Sequence, residues 1–257
     1  MKKALTLCAL LFAVLNFSFC SSNPGTPVIK PEDILKNDHS FTSYISQTLS
    51  MLTENYTAYD TNDKEISKLD FLKQVNTGQY LYVLLNSTNN KRYLKLYKLN
   101  GAKELSYGQI IYVYMRGTYD GYLKVGKKIP AFNFTDINGN HYTNKNTKGK
   151  ILVIKCWFIR CDACVAEMPE LNKLVQQYKN RKDILFISIA PDPTDKIKEF
   201  FTKTHFDYAN VGDQKTFIND DLKTTEFPTH FIINKQGVIV NVVEKPEEID
   251  YTLKNDL

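Results

Sequence analysis

Residues 151–169 of this 257-residue chain read ILVIKCWFIRCDACVAEMP and combine two patterns. Ile151 to Phe158 is a nearly continuous apolar run, which is typical of a strand covered on both faces. From Glu167 onwards, apolar residues recur at the three- and four-residue spacing of a helix. The pair Cys161 and Cys164 therefore falls between the end of a buried strand and the start of a helix.

This position of the cysteine pair has chemical consequences. Unpaired backbone N–H groups and the positive end of the helix dipole lower the pKa of a thiol at a helix start, and the thiolate is the reactive species. Cys164, one helical turn after Cys161, can approach its sulfur and close a reversible disulfide. A zinc site needs four ligands, and no second Cys-x-x-Cys or His-x-x-x-His motif accompanies the pair. The pattern favours redox chemistry at these thiols, with no metal and no cofactor.

The sequence on either side of this stretch indicates the fold class. Upstream, Asn138-Gly139 lies between two short strand-like segments and predicts a hairpin. Downstream, the pattern predicts a strand, two helices and a closing hairpin, over 184–190, 194–202, 217–222, and 229–233 with 238–243. Strands that alternate with amphipathic helices predict an α/β fold, with a central sheet flanked by helices.

Near Tyr119-Asp120-Gly121, glycine-punctuated sequence separates two regions with different patterns of apolar residues. This change predicts a boundary between two units, residues 32–120 and 121–257. The first unit carries helical and strand patterns, with helices over 32–56 and 68–75 and strands over 80–85, 93–99 and 110–114. We expect a small N-terminal α+β module whose aromatic strand residues form its core. Nothing in it has the residue chemistry of a catalytic site.

Residues 1–20 have the pattern of an export signal, because two lysines precede an apolar stretch that is too short for a comfortable membrane span. Cys20 stands where a lipoprotein signal places its lipid-bearing cysteine, and residues 21–31 resemble a flexible tether. We therefore predict an exported protein of the bacterial periplasm or cell envelope, held at the membrane by a lipid on Cys20. Phe19 replaces the usual small residue before that cysteine, so ordinary cleavage near Ser21 or Ser22 is the alternative.

Composition excludes other classes of protein. The apolar fraction is 43% and the charged fraction 24%, which is typical of a soluble globular chain. The formal net charge is only +5, and no dense basic run exceeds pairs such as Lys127-Lys128. Nucleic acid is therefore not an expected partner.

The segment from Lys155 to Pro169 resembles the active-site segment of the TlpA/ResA family of membrane-associated thiol:disulfide oxidoreductases. The resemblance extends from about Gly126 to the C-terminus and implies a thioredoxin-like fold. It also implies that Cys161 is the exposed nucleophile and that Cys164 is the resolving thiol of a redox-active disulfide. Trp157 stands at the family's strand-end tryptophan.

Phe227-Pro228-Thr229 matches the segment in which thioredoxin-like proteins carry a cis-proline that faces the cysteines. This carry-over makes Pro228 a catalytic-site residue. It also implies that backbone groups of Phe227 bind a peptide in strand fashion, with Trp157 and Thr229 completing the substrate site. The alternative for Pro228 is a proline that merely begins a strand.

Two charged residues have alternative interpretations. Glu167 matches the family's Glu-hydrophobe-Pro element and can carry protons during exchange, or it can be a solvated charge in the first helical turn. Lys155 stands where thioredoxin has a buried acid. Its ammonium either reaches the cysteine pair and stabilises thiolate, or extends past the core into water. The extra thiol Cys156 is interpreted as a small apolar residue on the strand.

The predicted function is thiol:disulfide exchange with protein thiols, in which the family resemblance implies a reductant that an unidentified redox partner re-reduces. A first alternative is a thiol peroxidase, because the spacing of Cys156 and Cys161 matches some peroxiredoxins. A second is a copper-binding protein of the same superfamily. His205 and His230 are the downstream histidines available to it, and each is interpreted as a surface or strand residue.

Overall fold

The computed structural model describes residues 25–257. The export signal and the lipidation site at Cys20 lie outside these residues and stay predictions. Within the described range, no helix is both long enough and apolar enough to cross a membrane.

The N-terminal unit is built on a four-stranded sheet in the order β2-β1-β4-β3. Its strands are β1 (Thr57–Tyr59), β2 (Glu65–Ile66), β3 (Tyr80–Leu84) and β4 (Tyr93–Lys98). Its first helices are α1 (Pro31–Ile34), α2 (Asp38–Thr48), a 3-10 turn (Leu49–Leu52) and α3 (Lys68–Val75). Strands β3 and β4 pair antiparallel, as predicted from their sequences. The α+β character predicted for this unit is confirmed.

The strand predicted over 110–114 is wrong, because these residues lie inside the long helix α4 (Gly101–Tyr122). Tyr107, Ile111 and Met115 are buried at a four-residue spacing and pack into the N-terminal core. Helical packing on this face outweighs the strand preference of the exposed aromatic and β-branched residues between them. The boundary proposed at 119–121 falls in the last turn of α4, which leads directly into the second unit.

The C-terminal unit contains a five-stranded sheet in the order β11-β10-β7-β8-β9. Its strands are β7 (Ile151–Cys156), β8 (Ile184–Ile189), β9 (Ala209–Val211), β10 (Thr229–Ile233) and β11 (Ile239–Val243). The predicted hairpin at Asn138-Gly139 is confirmed as β5 (Asn133–Thr135) and β6 (His141–Thr143). The helices are α5 (Asp162–Ala166), α6 (Met168–Gln177), α7 (Thr194–Phe201) and α8 (Pro246–Asn255), and the predicted helix over 217–222 is a π-helical turn (Phe217–Asp221).

Apolar clusters cover both faces of this sheet, which confirms the α/β class and the thioredoxin-like arrangement. Alternate residues of β7 belong to different clusters. Val153 and the following Trp157 pack on the face that carries both cysteines, whereas Ile154 and Cys156 pack on the other face. Lys155 therefore belongs to the face of the cysteine helix.

The two units touch along α4, β11 and α8. Asn241 donates to the carbonyl of Thr53 at 3.0 Å, and the Thr53 hydroxyl donates to Glu248 at 2.8 Å. At Gly117 of α4 a Cβ atom would lie 2.3 Å from a carboxylate oxygen of Glu244 and 2.6 Å from one of Glu226. Glycine therefore lets the two carboxylates approach the helix backbone.

Candidate active site

Cys161 and Cys164 are joined by a disulfide at the start of α5. Strand β7 ends at Cys156, and Cys161 has extended backbone as the N-terminal cap of the helix. The backbone N–H of Cys164 points at the sulfur of Cys161 at 3.2 Å. The predicted strand-to-helix position of the pair is confirmed, and a thiolate on Cys161 would accept this hydrogen bond.

The two sulfurs differ in access. Cys161 was expected to be exposed but is largely buried and keeps 8% of its residue surface, while Cys164 has none. Around Cys161 lie the exposed Arg160 and the half-buried Phe158, whose ring meets that of Phe227 edge to face with centroids 5.3 Å apart. Solvent and a partner protein can therefore approach the pair only from the side of Cys161.

The peptide bond between Phe227 and Pro228 is cis, as the family resemblance implied. Pro228 directly precedes β10, and Thr229 pairs with Cys156 at the end of β7. The loop with the cis-proline therefore lies beside the strand end from which the cysteine segment departs. Phe227 is half-buried and stays a candidate for peptide contact.

The expected contact of Trp157 with substrate is wrong. The indole has no exposed surface, because its ring packs on Phe200 and Phe201 at centroid distances of 5.5 Å. Its Nε1–H donates to the hydroxyl of Ser188 at 3.2 Å. Thr229 is also buried, and its hydroxyl donates to the carbonyl of Glu226, so its side chain supports the loop instead of facing a ligand.

On the face of the sheet that carries the cysteines lies a cluster of three ionisable side chains, Lys155, Glu167 and His230. The ammonium of Lys155 is ion-paired with Oε1 of Glu167, and the same oxygen lies 3.1 Å from Nε2 of His230. The side chains of Lys155 and His230 have no exposed surface, and Glu167 keeps 12%. The alternatives in which Lys155 and Glu167 are solvated charges are therefore wrong.

Backbone geometry brings these residues together. Lys155 and His230 are paired neighbours on the antiparallel strands β7 and β10, so their side chains leave the same face of the sheet. Glu167 stands at the junction of α5 and α6, and α6 begins at Met168 with Pro169 in its first turn. The junction places the carboxylate over the two strand residues.

Burial and mutual charge determine the protonation states of the cluster. Burial lowers the pKa of Lys155, and the carboxylate of Glu167 partly opposes this effect. Burial also lowers the pKa of His230, despite its bond to Glu167, so the imidazole is neutral at pH 7. Burial alone would raise the pKa of Glu167, but the hydrogen bonds and charges of His230 and Lys155 outweigh this effect and hold the pKa below its ordinary value. The carboxylate is therefore ionised.

Sequence reasoning considered His230 only as a metal ligand or strand residue and missed its place in this cluster. The signal was the pairing of two strands: once β10 lies antiparallel to β7, His230 falls opposite Lys155. The order of strands in the sheet was needed to find it.

Cys156 is the free thiol of the described residues, and it is fully buried on the opposite face of the sheet. Burial raises the pKa of Cys156 far above its ordinary value. The interpretation as an apolar strand residue is confirmed. A thiol without access or thiolate character is unsuited to peroxide chemistry, which weakens the peroxidase alternative.

The histidines of the copper alternative have other partners. His205 is exposed and pairs with Asp207 at 2.8 Å, whereas His230 is buried against Glu167. Within residues 25–257, no group of three or more His, Cys, Asp or Glu side chains is arranged to hold a metal ion.

Comparison with known proteins finds similarity to one protein family, and the similarity lies in the C-terminal unit. The model of the AhpC/TSA family matches residues 125–242. A thiol-disulfide oxidoreductase, ResA, from Bacillus cereus is 30% identical over 122 residues, which is 47% of this chain and 70% of that protein. The thioredoxin-like protein YneN of Bacillus subtilis is 24% identical over 121 residues, or 47% of this chain and 71% of its own.

Among solved structures, the thioredoxin domain of a thiol-disulfide oxidoreductase from Bacteroides vulgatus is similar to this chain. It shows 24% identity and a TM-score of 0.46, covering 51% of this chain and 96% of that one.

Proposed function

Because the chain belongs to the thioredoxin-like family of thiol:disulfide oxidoreductases that includes ResA, we propose that it exchanges disulfides with protein substrates through Cys161 and Cys164. We further propose that it acts as a reductant outside the cytosol. The unequal access of the two cysteines carries the proposal of disulfide exchange. A partner protein can reach Cys161 but not Cys164, which is the division of labour that exchange requires.

In the reducing direction, the thiolate of Cys161 attacks one sulfur of a substrate disulfide. A bond forms between Cys161 and that sulfur, the substrate S–S bond breaks, and the second substrate sulfur leaves as a thiolate. Cys164 then loses its proton and attacks Cys161, which closes the Cys161–Cys164 disulfide and releases the first substrate sulfur as a thiolate. Two electrons have passed to the substrate, and an external dithiol partner must restore the enzyme.

Glu167 is the proton carrier of the second step in this proposal. Its carboxylate is ionised, partly exposed and one helical turn beyond Cys164. Lys155 neutralises part of the carboxylate charge in this buried site, so that a thiolate can form nearby with less repulsion.

Peptide recognition is assigned to the loop with the cis-proline. The backbone of Phe227 precedes β10 at the open side of Cys161, and its ring forms an apolar wall with Phe158. Such a site suits an extended segment of a protein that presents a cysteine.

Export, membrane attachment and the reducing direction rest on other support. The signal-like residues 1–20 and Cys20 support export and a lipid anchor, and hence a site of action in the bacterial periplasm or cell envelope. The family resemblance supports reduction. We also propose that residues 32–120 and 121–257 are separate units of the chain, the second of which carries the redox site.

Trapping of the covalent intermediate tests the function. Cys164→Ser should accumulate a mixed disulfide between Cys161 and an oxidised protein substrate such as insulin, because the resolving thiol is missing. The matched variant Cys161→Ser should trap nothing. A mixed disulfide at Cys164 or Cys156, or none in either variant, would contradict the proposal.

A further inference from the structure

The carboxylate of Glu167 is bound at one oxygen only. Lys155 and His230 both contact Oε1, whereas Oε2 makes no hydrogen bond within residues 25–257. The side chain keeps 12% of its surface exposed, and Oε2 is the carboxylate oxygen without a partner among the described residues. Oε1 is therefore held by two partners, whereas Oε2 has none among the described residues.

Geometry also determines the tautomer of His230. A carboxylate can only accept hydrogen bonds, so the neutral imidazole must carry its proton on Nε2 and donate it to Oε1. Nδ1 then holds a lone pair, and this buried atom has no hydrogen-bond partner within the described chain. A buried acceptor without a hydrogen-bond partner carries a desolvation penalty, which an apolar residue at this position would avoid. The cost suggests that the donor at Nε2 serves a purpose besides stability.

The cluster has further neighbours on the same face. Strand pairing continues from Lys155 to Ser188 and then to Asn210, and the Ser188 hydroxyl donates to Asn210 at 2.6 Å. The hydroxyl of Tyr208 is buried without a partner among residues 25–257, and burial and the charge of Glu167 raise its pKa, so it stays protonated. Lys155, His230, Tyr208 and the cysteine helix are therefore the titratable surroundings of Glu167.

We propose that His230 is a positioning residue for the resolving step: it holds Glu167 by Oε1, so that Oε2 stays free to take the proton of Cys164. The inference rests on the proposed thiol:disulfide exchange. In the step, the S–H bond of Cys164 breaks and its proton passes to Oε2. The thiolate then attacks Cys161, the bond from Cys161 to the substrate breaks, and the substrate sulfur leaves as a thiolate, which recovers the proton from Glu167 or from water.

Removal of the donor at position 230 should lower the ionised fraction of this base at a given pH. Without the hydrogen bond, only Lys155 opposes the upward effect of burial on the pKa of Glu167, so the carboxyl stays protonated to higher pH. The attack of Cys161 on substrate does not use Glu167 and should keep its own pH dependence. The two chemical steps can therefore be separated.

The test follows thionitrobenzoate release when the reduced full chain reacts with Ellman's reagent. With Cys8 and Cys20 replaced by serine, so that they release no thionitrobenzoate, the first release reports attack by Cys161 and the second reports resolution by Cys164. In His230→Leu, the pH midpoint of the second phase should rise by about one unit or more, with little change in the first. His230→Gln, which can still donate to Oε1, should restore most of the parent profile. In the Glu167→Gln background, His230→Leu should produce no further shift.

An unchanged midpoint in His230→Leu, or equal shifts in the leucine and glutamine variants, would overturn the role of His230. If the leucine variant does not fold, His230→Asn replaces it, because its amide is too short to reach Oε1, and the comparison with His230→Gln decides the same question. A parent protein that shows no second phase would instead contradict the proposed exchange itself.

Discussion

Lys155 and His230 face each other across antiparallel strands, and both bind the same carboxylate oxygen of Glu167. Two buried cation-forming side chains and one acid thus replace the single buried acid of thioredoxin at this place. The arrangement changes the expected role of Lys155. Its ammonium is ion-paired with Glu167, so in the proposed mechanism it acts on the cysteines through that carboxylate.

The ion pair predicts a stability effect for Lys155→Met. The variant leaves Glu167 with His230 alone, and unfolding free energy at pH 7 should fall by about 3 kcal/mol, as for other broken buried pairs. Lys155→Met combined with Glu167→Gln should recover much of the loss, because no unpaired charge remains. Chemical denaturation of the parent, both single variants and the double variant measures this coupling; additive losses would contradict it.

The same carboxylate predicts sensitivity to acid. The pKa of Glu167 in the folded protein lies below its ordinary value of 4.5. Its contribution to stability is therefore complete above pH 4.5 and is lost as pH falls through the lower folded value. The stability difference between the parent and Glu167→Gln should shrink in that acid range, which denaturation at about pH 7, 5 and 3 would show. A difference that stays constant into the acid range would rule out a depressed pKa.

A second, half-buried acid, Glu244, predicts the opposite trend where the two units meet. Burial raises the pKa of Glu244 to about 7, and the neighbouring Glu248 and Glu226 add to the effect against the opposing charge of Lys245. Glu226 is itself 3.7 Å from Arg116 of α4. The protonated carboxyl of Glu244 therefore contributes stability that is complete below pH 4.5 and is lost as pH rises through about 7.

Glu244→Gln should accordingly match the parent at about pH 4 and exceed it above pH 8 by up to about 3 kcal/mol, since one pKa unit is worth about 1.4 kcal/mol. Glu247→Gln, at an exposed neighbouring position, is the control and should change little. Thermal unfolding at the two pH values checks this. A glutamine variant that is no more stable than the parent at high pH would show that Glu244 is already ionised there at little cost.

The proposal of two separate units can be tested through Gly108 in α4. A Cβ atom there would lie 1.9 Å from the carbonyl oxygen of Gly78, so Gly108→Ala should separate α4 from the chain after α3 and cost about 1–3 kcal/mol. If the units are distinct, the thiol reactivity of Cys161 should stay unchanged. Ser106→Ala, on an exposed position of the same helix, is the control. Equal loss of stability and of thiol reactivity would argue for one cooperative unit.

How far sequence reasoning reached depended on whether a feature was local. The cysteine helix, the hairpin at Asn138-Gly139 and helix α3 follow from short-range patterns, and the structure contains them. Residues 110–114 have the composition of a strand but lie in helix α4. Only the tertiary packing of α4 decides between strand and helix here, so the sequence pattern alone predicted the wrong element. Trp157 and His230 were misjudged for the same reason, since their surroundings come from strands distant in the chain.

Alkylation of the reduced protein tests the order of reactivity among the thiols. Cys161 should be labelled first at neutral pH, because it alone of the three described cysteines is accessible, and Cys164 should follow slowly. Cys156 should stay unlabelled until the protein unfolds, since it is fully buried and its pKa is raised by burial. Peptide mapping by mass spectrometry gives the order, and early labelling of Cys164 or Cys156 would overturn the assignment.

The most direct test of the account is the redox equilibrium of the Cys161–Cys164 pair. The full chain would be equilibrated in glutathione buffers of graded ratio, quenched with acid, alkylated after unfolding and analysed by mass spectrometry. We expect a reversible two-electron transition confined to Cys161 and Cys164, with the same midpoint from either direction and with Cys156 always recovered as a free thiol. A pair that cannot be reversibly reduced, or a transition that includes Cys156, would contradict the account.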